Sequence, residues 1–245
     1  MAITAKHFGL VGRNISYSFS QSYFAEKFRQ LDLPYTYDNY DISDISEFRD
    51  IAQKNLSGLN VTIPYKESVI PFLDGLSETA ARIGAVNTIA FDSDGKLIGH
   101  NTDFYGFKKS METLLKPQHQ KALILGTGGA SKAVAYALEL LKIDFAFVSR
   151  DKSSGNFSYA DLDANVFQEF QIVVNTTPLG TFPQTEQFPE LPYRFFTPDH
   201  LAYDLIYNPS QTLFLQKASE YGAAIQNGFD MLVFQAEKAW EIWNA

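Results

Sequence analysis

The sequence predicts an α/β protein of two domains. Short apolar runs alternate with amphipathic stretches through the first hundred residues, a strand–glycine turn–helix–strand unit occupies residues 121–149, and the pattern changes after Asp103. Residues 1–103 together with 228–245 form the first expected domain, and residues 104–227 the second.

The elements follow in order. Residues 7–11 read as a buried strand, and residues 20–31 as a helix with Tyr23, Phe24, Phe28 and Leu31 on its apolar stripe. A strand over 35–40 precedes a helix capped near Ser43 or Asp44. Residues 86–91 and 96–99 form a hairpin turned by Asp92-Ser93-Asp94-Gly95. A helix over 104–115 leads to Pro117, then to a strand over 121–125, a helix over 130–141 and a strand over 145–149. This is the β-α-β unit of a parallel sheet, which residues 172–174 and 201–204 extend. The last helix covers 228–243.

Composition excludes several function classes. A net charge of −8 argues against nucleic acid or anionic membrane as partner. The chain has no cysteine, so disulfides, thiolate metal sites and cysteine nucleophiles are out. His7, His100, His119 and His200 show no metal-ligand spacing, and no G-x-S-x-G elbow occurs. The N-terminal residues contain no apolar signal core, and no uncharged apolar run could span a bilayer. A cytoplasmic location is the expectation.

Two segments carry chemistry. In Gly58-Leu59-Asn60-Val61-Thr62-Ile63-Pro64-Tyr65-Lys66, a strand would turn Asn60 and Thr62 to one face and Val61 and Ile63 to the other. Pro64 stops the ladder, leaving Lys66 in the turn or first helical residues beyond. An amide, a hydroxyl and an ammonium thus gather at a strand end, where small oxygenated ligands bind. The second segment, Gly126-Thr127-Gly128-Gly129-Ala130-Ser131, follows a strand and opens a helix, the setting of a Rossmann-like dinucleotide site. Gly126 permits the tight turn, Gly128 lets backbone approach a pyrophosphate, and Gly129 and Ala130 keep the helix close to the sheet, whose N-terminus favours anions. Ser131 stands where the third glycine of the full fingerprint would be. At the end of the next strand, Ser149 replaces the acid usual for NAD, and Arg150 offers a planar fork for a 2′-phosphate, which favours NADP.

These pieces, in this order, resemble the shikimate dehydrogenase family. Its N-terminal motif G-x-P-I-x-H-S-x-S-P matches Gly12 to Gln21 in spacing, with Ser18 and Ser20 retained and Asn14, Tyr17 and Gln21 in place of both prolines and the histidine. The N-V-T-x-P-x-K block is intact, as are Ala85-Val86-Asn87-Thr88 and Gly99-His100-Asn101-Thr102-Asp103. Asn175-Thr176-Thr177-Pro178-Leu179-Gly180, Asp204-Leu205-Ile206-Tyr207-Asn208-Pro209 and Met231-Leu232-Val233-Phe234-Gln235 match three further blocks. The resemblance runs from about Gly9 to Gln235.

It implies an N-terminal substrate domain, a Rossmann-like NADP-binding domain, and reversible reduction of 3-dehydroshikimate to shikimate. Lys66 would donate the proton, since a lysine is an ammonium at neutral pH, with Asp103 as its partner. Ser18, Ser20 and Tyr207 would hold the substrate carboxylate through neutral donors, and Asn60, Thr62, Asn87 and Gln235 would sort its ring hydroxyls. Thr176 and Gly228 would join the glycine turn, Ser149, Arg150 and Lys152 around the cofactor. Two departures stand out. The segment 151–170 is short and poor in helical periodicity, so a reduced or missing helix is expected there, opening one side of the adenosine pocket. Ser154 stands where the family often has a second basic residue, with Lys152 as the substitute. The rival readings are a quinate/shikimate dehydrogenase using NAD and a non-catalytic metabolite sensor of the same fold. A monomer or homodimer is expected.

Overall fold

The computed structural model describes residues 4–16, 18–151 and 154–245. The chain divides into two compact units, residues 1–102 with 236–245 and residues 103–235. The second boundary falls inside the last helix, later than the position 228 read from the sequence.

The first unit is built on a mixed sheet. Strands β1 (His7–Gly12), β2 (Thr36–Asp41), β3 (Gly58–Val61), β4 (Gly75–Leu76), β5 (Thr88–Phe91) and β6 (Leu97–His100) lie in the order β2-β1-β3-β5-β6-β4. β1 pairs in parallel with β2 and β3, and the β5–β6 hairpin joins antiparallel to β3. The hairpin turns at Gly95, whose φ of +78° suits glycine, and Asp92 Oδ1 accepts the N–H groups of Asp94 and Lys96 at 2.9 Å each. Period-2 alternation sorts β1: Phe8 and Leu10 pack with Phe24 and Phe28 of α1 (Phe19–Gln30) and with Trp243, while Val11 joins Leu59, Val61 and Ile89 on the other face. Leu31 does not share that core. It is the C-cap residue, past the end of α1, and is 51% exposed. Asp44 caps the turn after β2 in a reciprocal box with Glu47, followed by the short helix α2 (Phe48–Ala52). Helix α3 (Glu78–Ile83) starts on Ser77 and stops at Gly84, whose φ is +72°.

The second unit holds a parallel sheet. Its strands β7 (Lys121–Leu125), β8 (Asp144–Ser149), β9 (Phe157–Ser158), β10 (Ile172–Asn175), β11 (Leu201–Asp204) and β12 (Ala224–Gln226) lie in the order β12-β11-β10-β7-β8-β9. Helices cover both faces, as a parallel sheet requires. Ala122, Ile124, Ile172, Val174 and Tyr203 pack with Phe107 and Met111 of α4 (Asp103–Met111) and with Val134 and Leu138 of α5 (Gly129–Leu140). Leu123, Leu125, Val148, Val173 and Ala202 pack on the opposite face with Phe167 of α6 (Ala164–Glu169) and Phe214 of α7 (Leu213–Glu220). α4 stops at Met111, four residues short of the expected end. The crossover over 151–170 keeps a six-residue helix, α6, capped by Asp163. Phe167 anchors it in the core, a burial worth about 2–3 kcal/mol. β9 adds an edge strand that the sequence pattern does not announce.

The last helix, α8 (Phe229–Trp243), contributes residues to both units.

Candidate active site

In the first unit the motif side chains form one buried network. Asn60, on β3, accepts from the Tyr37 hydroxyl at its Oδ1 (2.7 Å) and donates from Nδ2 to the Asn87 carbonyl and to Thr88 Oγ1, both at 3.1 Å. Asn87 Nδ2 donates to Thr102 Oγ1 at 2.9 Å, and its Oδ1 accepts the Thr102 N–H at 2.6 Å. Ser20 hydrogen-bonds the Tyr37 phenol, whose pKa burial drives far up. Asn60, Asn87, Thr88, Thr102 and Ser20 are all buried. A buried amide left unpaired costs about 1–3 kcal/mol, so each link is held by the next. Tyr37, Thr88 and Thr102 escape the sequence reading: Tyr37 looks like a core aromatic, and the two threonines sit inside motif blocks without a role of their own.

Beyond β3 the chain turns. Thr62 N–H still donates to Val11 O at 2.9 Å, and Ile63 is exposed. Tyr65 N–H donates to Thr62 O (2.9 Å), while Lys66 O accepts the Val86 N–H at 2.7 Å. Lys66 therefore lies in a turn whose backbone is tied to the residue before Asn87, with its side chain partly exposed. Thr62 is also partly exposed, unlike its strand neighbour Asn60.

Ser18 is the N-cap of α1, and its Oγ accepts the Ser20 N–H at 3.2 Å. The remaining expected substrate residues lie in the second unit. Asp103 opens α4 and is buried. Tyr207 follows β11 and is partly exposed. Gln235 is 6% exposed, and its Nε2 donates to Leu232 O at 3.1 Å. Gly106 sets its position: a Cβ there would lie 2.4 Å from Met231 O and 3.0 Å from Gln235 N, so α4 and α8 touch backbone to backbone.

The glycine turn has different means. β7 lies between β10 and β8, so the chain leaves β7 at the point where strand order reverses, the usual position of a ligand crevice. Gly126 has φ +103°, and a Cβ there would lie 3.0 Å from Thr176 Oγ1. Thr176 itself is bound to Leu125 O through both N–H (3.1 Å) and Oγ1 (2.6 Å) and so walls the turn. Gly128 is the N-cap of α5, with no side-chain cap on the helix. A Cβ at Gly128 would meet nothing within 4 Å. Uncapped N–H groups facing open space are what a pyrophosphate needs, so this turn fits a dinucleotide. Thr127 is exposed, and Gly129 and Ala130 are partly so. Ser131 is buried and commits its hydroxyl to Gly128 O at 2.6 Å, which makes it a brace of the turn.

At the tip of β8, Ser149 Oγ accepts the Asp151 N–H at 3.3 Å, and Arg150 is exposed, close enough to Tyr159 to act on its phenol. Lys152 lies outside the described residues. Gly228 is buried for a packing reason, since a Cβ would lie 2.1 Å from Leu205 O. At the end of β11, Asp204 accepts from Thr212 Oγ1 (2.5 Å), Ile206 N (3.0 Å) and Asn175 Nδ2 (3.1 Å). Burial nevertheless raises its carboxyl to about 7. Among the described residues no group of His, Asp and Glu could hold a metal ion.

The family model described as shikimate dehydrogenase substrate binding domain matches residues 10–89. A protein of Desulforamulus reducens named shikimate dehydrogenase (NADP(+)) is 37% identical, over 96% of this chain and 88% of its own. The chain belongs to the shikimate dehydrogenase family. Among solved structures, the shikimate 5-dehydrogenase of Thermus thermophilus in complex with NADP(H) and shikimate is 30% identical, with a TM-score of 0.85 over 97% of this chain and 93% of that one. The quinate dehydrogenase of Corynebacterium glutamicum in complex with NAD is 27% identical, with a TM-score of 0.87 over 98% and 94%.

Proposed function

We propose that this chain is an NADP-dependent shikimate dehydrogenase that reversibly reduces 3-dehydroshikimate to shikimate. Membership of the family along nearly the whole chain, with Lys66 and Asp103 both retained, carries this reading. When bound, NADPH supplies the hydride to the ketone carbon. Lys66 gives its proton to the oxygen that becomes the hydroxyl, and Asp103 accepts a hydrogen bond from a substrate hydroxyl. Ser18, Ser20 and Tyr207 offer neutral donors to the substrate carboxylate, and Thr62, Asn87 and Gln235 sort ring hydroxyls. Asn60 already has both Nδ2 hydrogens and Oδ1 engaged, so it acts by orienting the Asn87 segment. Gly126, Thr127, Gly128, Gly129 and Ala130 line the pyrophosphate, with Ser131 and Thr176 bracing them, and Arg150 takes the 2′-phosphate.

The substrate is a small molecule. Among the described residues no helix is long and apolar enough to cross a membrane. A cytoplasmic monomer or homodimer completes the proposal, compatible with a sequence free of cysteine.

Initial rates with shikimate and quinate, each with NADP and NAD, test the reading. The expected result is turnover dominated by shikimate with NADP. Turnover confined to quinate with NAD would replace it by the quinate reading, and shikimate binding in calorimetry without any change in NADPH absorbance would favour a sensor.

A further inference from the structure

The turn ahead of α1 lacks both prolines of the motif it resembles, and the structure supplies another constraint. Asn14 has φ +57°, a region that proline, held near −65°, cannot enter. Its N–H donates to Asp41 Oδ1 at 2.8 Å, and the next N–H, of Ile15, donates to Asp41 Oδ2 at 3.1 Å. Asp41 ends β2 directly beside Gly12, the last residue of β1. Two positions earlier on β2, Asn39 Nδ2 donates to the Ile15 carbonyl and to Gln21 Oε1, both at 3.1 Å. The Ile15 carbonyl also accepts the Ser18 N–H at 3.0 Å. β2 thus holds the chain on both sides of Ser18 and Ser20.

We propose that Asp41 is a positioning residue for the substrate carboxylate. One carboxylate spans two consecutive backbone N–H groups and selects the turn that delivers Ser18 and Ser20. Two charge-assisted hydrogen bonds to main chain are strong enough to replace the entropy that a proline would have removed. Asn14 makes the arrangement possible, because asparagine tolerates the left-handed region better than other non-glycine residues. What the two serines bind rests on the dehydrogenase reading above, whereas the Asp41 clamp does not.

The test compares Asp41→Ala and Asp41→Asn with Asp38→Ala, an exposed acid on the same strand. In the full chain, Asp41→Ala raises KM for shikimate about tenfold while kcat and KM for NADP stay within about threefold. Amide exchange at Asn14 and Ile15 accelerates in parallel. Asp41→Asn, which keeps one acceptor oxygen, falls between Asp41→Ala and the parent, and Asp38→Ala matches the parent. Should the alanine variant not fold, the asparagine variant carries the same comparison. A KM for shikimate that does not move, one that falls, or one that rises in step with KM for NADP overturns the proposal. A parent chain without activity would sink the dehydrogenase reading instead; exchange at Asn14 and Ile15 and calorimetry with shikimate then still decide whether Asp41 positions the turn.

Discussion

In the first unit the motif side chains hydrogen-bond one another, whereas in the second the glycine turn offers main-chain N–H groups where side chains are missing. The chain of contacts from Ser20 through Tyr37 and Asn60 to Asn87 and Thr102 is complete without any ligand. Gly128, by contrast, faces nothing within 4 Å, and α5 has no side-chain cap. A network of paired amides is sensitive to removing an atom, and a bare turn is sensitive to adding one. Specificity for a small polyhydroxylated ring calls for the first, because oriented amides distinguish donors from acceptors. Phosphate binding calls for the second, because a helix N-terminus attracts any anion that can reach it.

The largest effect separates chemistry from both kinds of scaffold. Lys66→Ala is expected to lower kcat about a thousandfold with KM little changed, the signature of a proton donor. Steady-state rates check it. A rise in KM alone would make Lys66 part of the binding surface and so extend the first unit's network.

The next effect belongs to the buried struts of the second unit. Burial raises the Asp204 carboxyl from 3.8 to about 7, so between these values the folded chain holds a proton that the unfolded chain has released. The stability contributed by the neutral carboxyl is complete below about pH 4 and is lost as pH rises through 7. The span corresponds to roughly 4 kcal/mol. Asp204→Asn imitates the neutral form, so denaturation midpoints across this range should fall with pH in the parent relative to the variant. Parallel curves would show that the three donors keep Asp204 ionised throughout.

Tyr37→Phe addresses the first unit's network with a single oxygen. It leaves Asn60 Oδ1 without its donor, at a cost of about 1–3 kcal/mol, read as a lower melting temperature and a higher KM for shikimate. If melting temperature falls and KM does not, the network is a brace of the sheet with no bearing on the ligand.

The contrast between the units also governs what could be read from residues alone. β7, β8, β10 and β11 are runs of Val, Ile, Leu, Phe, Tyr and Ala bounded by polar or glycine residues, and their positions follow from that pattern. β12 is three residues on the sheet edge, two of them exposed, and β9 is two residues long, so neither has a periodicity to read. Gly126 and Gly128 declare themselves because a local turn needs local glycines. The first unit's network does not, because Tyr37 and Asn60 lie on strands either side of β1, while Ser20 in α1 and Asn87 and Thr102 in the segments flanking the β5–β6 hairpin reach them only once the sheet has formed. Asp41 is hidden for the same reason: its partners, Asn14 and Ile15, lie across the β1–β2 register.

The smallest effect tests the bare turn itself, by putting the same methyl group at two neighbouring glycines. Gly126→Ala forces alanine to φ +103° and towards Thr176 Oγ1, so the fold loses about 1–3 kcal/mol before any ligand arrives. Gly128→Ala enters open space at an ordinary φ of −83° and costs at most about 1 kcal/mol, the usual difference for alanine at an N-cap. Its effect should appear instead in KM for NADP, raised about tenfold while KM for shikimate holds, because the methyl occupies the space the pyrophosphate needs. Melting temperatures and the two KM values decide the matter. Equal losses of stability at both positions would mean that Gly128 serves the turn rather than the ligand, and the second unit would then resemble the first.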